Sequence, residues 1–234
     1  MQYLSGADIL GSTFQGCSNL LEITINDAVE KMGSSVFKDC VKLERVHLPS
    51  ALTCFGLSTR TENHVTIYVP VSITSDAGTF SGCTALREIE IPAGIQYIPK
   101  NTFNGCTVLE NVVLNTLITM GPSAFLNCPK LSFSSANSGL DVKVQDKILY
   151  VDNQLVLCFS EAEEVTVSMG TTAIKLYAFY QNKKIKSVVL PQSVGTIETY
   201  AFSECSALQT INLQYVTAVE SYAFQKCALE SVKF

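Results

Sequence analysis

Phe80-Ser81-Gly82-Cys83-Thr84-Ala85-Leu86-Arg87-Glu88-Ile89-Glu90-Ile91-Pro92 carries one phrase: an aromatic, three residues to a cysteine, three more to a leucine, then two aliphatics at alternating positions. The same phrase reads Phe14, Cys17, Leu20, Ile23, Ile25 and again Phe37, Cys40, Leu43, Val46, Leu48. Its phenylalanines are Phe14, Phe37, Phe80, Phe103, Phe125, Phe179, Phe202 and Phe224, separated by 23, 43, 23, 22, 54, 23 and 22 residues. One unit is therefore 22 or 23 residues. Each such unit buries its apolar face only by stacking on its neighbours, so the chain is a repeat array, with two long gaps that the period must explain.

A period in the twenties on apolar spacing indicates a leucine-rich-repeat solenoid, strand-dominated, with short parallel strands on one face and irregular or short helical turns on the other. The alternating pairs Ile89/Ile91, Val112/Leu114, Val188/Leu190 and Ile211/Leu213 supply the strands, and a proline or asparagine directly after them ends the ladder. Apolar residues eight and five positions before each phenylalanine, such as Ile95/Ile98, Leu117/Met120 and Val194/Ile197, are expected to form the opposing wall. The reading gives one solenoid over residues 1–234. In the first gap, Leu52, Phe55, Ile67 and Val69 suggest a divergent unit over 49–70 with an irregular loop from Ser58 to His64. In the second, two alternating runs around Asp152-Asn153 predict a β-hairpin insertion at about 134–160.

The Ala-Phe pair, the following cysteine, the leucine and the Leu-Pro or Ile-Pro strand end resemble the BspA-type leucine-rich repeats. That resemblance implies a secreted or cell-surface protein used for adhesion to host matrix or surface proteins, or to other microbial surface proteins. The hairpin also resembles an insertion common in that family.

Charged residues make up only 16% of the chain, against about 25% in ordinary domains, as suits a thin solenoid with a continuous core. Net charge is −5 and no run of lysine or arginine occurs, so nucleic acid is not an expected partner. No stretch of eighteen apolar residues occurs either, and direct membrane insertion is not expected. Seven of the nine cysteines, Cys17, Cys40, Cys83, Cys106, Cys128, Cys205 and Cys227, share one slot of the repeat. Equivalent side chains of stacked units point the same way, whereas disulfides and zinc need convergence. The expectation is a buried, reduced cysteine ladder, with no cofactor and no metal. Asn182 replaces cysteine once and requires polar partners there.

Catalysis has few candidates. Cys54 and Cys158 lie outside the cysteine column and His47 and His64 are the only histidines, yet no nucleophile turn surrounds either cysteine. Asp141, Asp146 and Asp152 fit no calcium loop. A non-enzymatic module that binds host or microbial proteins or glycans through a face of the repeat array is the reading that remains, with a structural stalk or spacer of a larger surface protein, without a ligand of its own, as the alternative. The outward strand positions carry their largest and most charged members in the N-terminal half, and Arg45, His47, Tyr68, Glu88 and Glu90 are the expected binding residues. Uncapped apolar ends would also suit end-to-end self-association.

Overall fold

The computed structural model describes residues 8–62, 65–230 and 232, with the side chains of 59–68 outside the described set. The chain groups into two compact units, Met1–Ser138 and Gly139–Phe234, each a strand-dominated solenoid. No helix occurs among the described residues.

In the first unit the strands are β1 (Glu22–Thr24), β2 (Lys31–Met32), β3 (Arg45–His47), β4 (Cys54–Phe55), β5 (Leu57–Glu62), β6 (Val65–Pro70), β7 (Glu88–Ile91), β8 (Tyr97–Ile98), β9 (Asn111–Leu114), β10 (Thr119–Met120) and β11 (Phe133–Ser135). Two parallel ladders run along the unit. One joins β1 to β3 and β7 through β9 to β11. The other joins β2 to β4 and β8 to β10, so the expected opposing wall is itself hydrogen-bonded strand. Alternation decides which side is buried: Val46, Ile89, Ile91, Val112 and Leu114 face inward. Between Phe103 and Phe125 the unit is one residue shorter, so Ile118 takes the inward place and Leu117 is exposed.

At the third side of each turn sits the phenylalanine. Rings of Phe14, Phe37, Phe80, Phe103 and Phe125 stack with centroids 5.0–5.4 Å apart, and Phe37, Phe80 and Phe103 are fully buried. The backbone there follows a rule that the apolar pattern does not reveal. In every unit the residues two before and two after the phenylalanine have positive φ: Ser35 and Asp39, Gly78 and Gly82, Asn101 and Gly105, Ser123 and Asn127. This alternation turns successive amides in different directions. The Phe80 N–H donates to Thr102 of the next turn at 2.8 Å and Gly82 to Asn104 at 2.8 Å, while Ser81 and Cys83 close local turns onto Gly78 and Phe80. Left-handed backbone costs an ordinary residue roughly 1–2 kcal/mol, which explains the Ser, Asn, Asp and Gly at these places.

The cysteines complete the corner. Thiols of Cys40, Cys83, Cys106 and Cys128 donate to the phenylalanine carbonyl one turn back, at 3.0–3.2 Å. Each of those carbonyls also accepts an in-turn amide, as Phe80 does from Cys83 at 3.1 Å. Burial raises the Cys83 and Cys106 thiols and pushes Cys128 up to about 12. Cys17, in contrast to the expectation, is exposed, and Cys227 is half-buried.

The first long gap is not a divergent unit. Phe37 stacks directly on Phe80, and Ser35, Phe37 and Asp39 bond to Ala77, Thr79 and Ser81, so 43 residues make one turn with an excursion. The segment read as an irregular loop plus a solenoid strand is an antiparallel ribbon, β5 against β6, from Leu57↔Pro70 to Glu62↔Val65. Ile67 and Val69 alternate as a solenoid strand does, which is why they mislead. The base of the ribbon is Gly56, at φ 83, whose carbonyl accepts the Val71 N–H at 3.1 Å; a Cβ there would meet Val71 Cγ2 at 2.5 Å. His64 lies outside the described residues.

The second unit contains β12 (Val142–Gln145), β13 (Ile148–Val151), β14 (Gln154–Cys158), β15 (Glu164–Thr166), β16 (Ala173–Ile174), β17 (Ser187–Val189), β18 (Thr196–Ile197), β19 (Thr210–Ile211) and β20 (Ala218–Val219). The insertion is a three-stranded antiparallel meander rather than one hairpin. Its two-residue turns, Asp146-Lys147 and Asp152-Asn153, have positive φ at both residues, the backbone that matches strand twist. Residues 133–135, placed partly within the insertion by the sequence reading, belong instead to the ladder of β9. The last meander strand, β14, pairs parallel with β16 and starts a ladder through β18 to β20. A second ladder runs β15, β17, β19. Phe179, Phe202 and Phe224 stack as in the first unit. Asn182 finds its partners: its Nδ2 donates to Ser160 O at 2.9 Å, and its Oδ1 accepts the Lys184 and Ile185 amides.

Replacing Phe103 with alanine removes a fully buried ring from the stack and should cost about 3–5 kcal/mol, read by chemical denaturation; an unchanged midpoint would contradict its place in the core. The raised thiols set a pH dependence. They are protonated in the folded array and ionise more readily when unfolded, near 9.0, so their contribution is complete below that value and declines as pH rises toward 12. Thermal midpoints measured from pH 8 upward should fall progressively beyond pH 9.

Candidate recognition face

The outward residues of β1, β3 and β7 form a polar face because period-2 alternation commits the other half of each strand to the core. Parallel register sets Glu22 beside Arg45 and Thr24 beside His47. One Arg45 nitrogen lies 2.9 Å from Glu22 Oε2, and His47 Nε2 lies 3.2 Å from Glu22 Oε1. Glu22 thus gathers both side chains. Their hydrogen bonds, Arg45 first and His47 second, hold its carboxyl below the ordinary value, and Glu22 in return raises Arg45. On the next rungs Glu88 and Glu90 are exposed, aligned with Asn111 and Val113, and Glu90 accepts from Asn115 Nδ2 at 2.8 Å.

Of the five expected site residues, Arg45, His47, Glu88 and Glu90 lie on outward positions of the parallel strands. Tyr68 does not share that ladder: its backbone is in β6, paired antiparallel with Thr59 of β5, and its side chain is outside the described set. Glu22, which the sequence reading left out of the site, is the residue that ties Arg45 to His47. Its signal was available, since it sits 23 residues before Arg45 at the same place in the unit.

Chemistry at the remaining candidates is muted. Cys54 and Cys158 are buried strand residues, and burial raises both thiols, Cys158 to about 12, far from the thiolate that a nucleophile needs. Over β17 and β19 lies a shallow depression of about 510 Å³ lined by Ser187, Val189, Thr210, Asn212 and their neighbours, with no acid, base or thiol in its wall. Among the described residues no group of three or more His, Cys, Asp or Glu side chains could hold a metal ion, and no helix is long and apolar enough to cross a membrane.

The family model of the BspA type leucine rich repeat region matches in six copies, over residues 6–75, 59–142 and 132–234. The chain belongs to the BspA-type leucine-rich repeat family. Among solved structures it is similar to a leucine-rich repeat protein from Eubacterium ventriosum, at 16% identity over 97% of this chain and 70% of that one, with a TM-score of 0.53. It is also similar to a leucine-rich cell surface protein from Faecalibacterium prausnitzii, at 22% identity over 97% and 76%, with a TM-score of 0.41. At these identities the likeness speaks for the fold alone. No curated protein matches this chain.

If Arg45 holds the Glu22 carboxyl down, Arg45→Ala should raise the Glu22 titration midpoint toward the ordinary carboxylate value. Carboxyl-carbon NMR titration of both proteins would read it, and coincident curves would show that the pair does not persist in solution.

Proposed function

We propose that this chain is a non-enzymatic recognition module, secreted or displayed at the cell surface, that binds host matrix or surface proteins or other microbial surface proteins. The observation that carries the reading is the outward face of the first unit. There parallel pairing of β1 with β3 holds Arg45 and His47 beside Glu22, and Glu88 and Glu90 stand exposed on β7, so both charge signs are carried by strands. Pre-ordered side chains lose little entropy on docking. Membership of the family and the surface description of the Faecalibacterium protein are consistent with this location.

A stalk without a ligand of its own is the second reading, and one observation favours it. Arg45 and His47 already share Glu22, so a partner must offer enough to replace that pairing.

The two readings separate by binding to immobilised matrix proteins and to cells. The wild-type chain should bind at least one of them, and a variant with Arg45, His47, Tyr68, Glu88 and Glu90 changed to alanine or serine should lose at least tenfold in affinity with its thermal midpoint preserved. Equal binding by the two proteins would move the site off this face, and no binding by either would leave the stalk.

A further inference from the structure

The β5–β6 ribbon stands outside both ladders of the first unit. Among the described strands β5 pairs only with β6 and β6 only with β5. Its base is the Gly56–Val71 bond, with Leu57 and Val71 buried there. A two-stranded hairpin by itself is marginal in water and gains stability from a third strand. Each outer edge of the ribbon is a row of backbone donors and acceptors that can receive one.

The two edges differ in sequence. Strand β5 carries Arg60 and Glu62, and charges on an edge strand discourage pairing. Strand β6 reads Val65-Thr66-Ile67-Tyr68-Val69 before Pro70, with no charge and no glycine. Register decides which of its backbone groups face out. The Val71 N–H donates to the Gly56 carbonyl, and bonded pairs alternate along an antiparallel ladder. Ser58↔Val69, Arg60↔Ile67 and Glu62↔Val65 are therefore the pairs that exchange bonds inside the ribbon. Thr66 and Tyr68 turn their amides and carbonyls to the outer edge, and Pro70, which has no amide to offer, falls at an outward place too.

We propose that the outer edge of β6 pairs with the same edge of a second copy of this chain, antiparallel about Ile67. The argument for this occupant is self-complementarity. A two-fold interface requires a surface that matches itself, and β6 read in reverse is again valine, hydroxyl residue, isoleucine, hydroxyl residue, valine. Centred on Ile67, the pairing sets Val65 opposite Val69 of the second copy, Ile67 opposite Ile67, and Thr66 opposite Tyr68. Thr66 and Tyr68 are the residues with outward groups, so each Thr66–Tyr68 pair exchanges both of its N–H···O bonds. Val65, Ile67 and Val69, which alternation places on one face, continue with their counterparts as an apolar row. Charge favours the same contact: two chains of net charge −5 repel one another, and β6 lets them meet without a charged residue between Val65 and Pro70. A strand pair buries less than the roughly 1,000 Å² of a stable interface, so the dimer is weak and forms as concentration rises. Two arrays so joined present every outward face twice and gain avidity for a repeated ligand. The inference stands apart from the recognition reading, since it needs no partner other than the chain itself.

The test is sedimentation velocity of the full chain from micromolar to near-millimolar concentration, where a monomer–dimer equilibrium is expected. Thr66→Pro removes an outward amide and leaves the bonds to β5 in place, since an edge strand accepts proline where its nitrogen faces out. It should weaken the dimer at least tenfold with the thermal midpoint of the array unchanged. Register is read separately in a Cys17→Ser background, which removes the exposed thiol. With a mild oxidant, Ile67→Cys should cross-link two chains, because this position meets its own counterpart, and Val65→Cys should not. The cross-linking pair keeps every backbone bond, so it decides the matter if Thr66→Pro unsettles the ribbon. A chain that stays monomeric at every concentration, a dimer indifferent to Thr66→Pro, or cross-linking by Val65→Cys as efficient as by Ile67→Cys would each overturn the proposal. Capture of an unrelated protein along β6 by a monomeric chain would overturn it too and leave the edge as a site for a foreign strand.

Discussion

The corner hydrogen bond is the constraint from which the array follows. At each phenylalanine the chain must turn sharply while its buried amides still find partners, since an unpaired buried N–H costs as much as a lost hydrogen bond. Two left-handed residues solve this by splitting the amides between the local turn and the next turn. Once Phe80 donates to Thr102 and accepts from Cys106, the distance between turns is fixed, and ring stacking and both strand ladders follow that spacing. Cysteine suits its slot for the same reason: it is small and apolar enough for the core, yet it carries one weak donor for the second lone pair of a buried carbonyl.

The same corner reconciles two opposed demands on the surface. Positive φ favours small polar residues, so the corner is chemically plain in the first unit, and variety there is carried by outward strand positions such as Glu22, Arg45 and His47. In the second unit the strand face is mostly Ser, Thr, Val and Asn, and the corner carries tyrosines and charges instead. Each unit thus concentrates its chemistry on a different side of a common cross-section.

Much of this was legible from residue spacing. The 22–23-residue period, the inward aliphatics and the meander turn at Asp152-Asn153 all follow from positions in the sequence, because burial in a solenoid is enforced identically in each unit. The ribbon at 57–70 was not legible, since Ile67 and Val69 alternate in the same way whether a strand pairs parallel in a stack or antiparallel in a hairpin. Only the contact of Phe37 with Phe80, distant in sequence, separates the two. The left-handed pair was hidden for another reason. Ser, Asn and Gly signal turns in general, and Tyr177, Tyr200 and Tyr222, at positive φ in the second unit, signal the opposite of what their backbone does. The candidate face was half legible: alternation marks Arg45 and Glu88 as outward, but the sharing of Glu22 by Arg45 and His47 depends on register between strands.

The closed base of the β5–β6 ribbon has an evolutionary corollary. Gly56 and Val71 are tied by one backbone hydrogen bond, and the turns on either side stack as though the intervening residues were absent. Because the entropy of closing a loop grows only with the logarithm of its length, segments of very different size could be exchanged at this junction with little effect on the repeats beside it. Such a port separates novelty from stability: the repeats hold the register, while whatever is spliced between Gly56 and Val71 is free to diversify under selection.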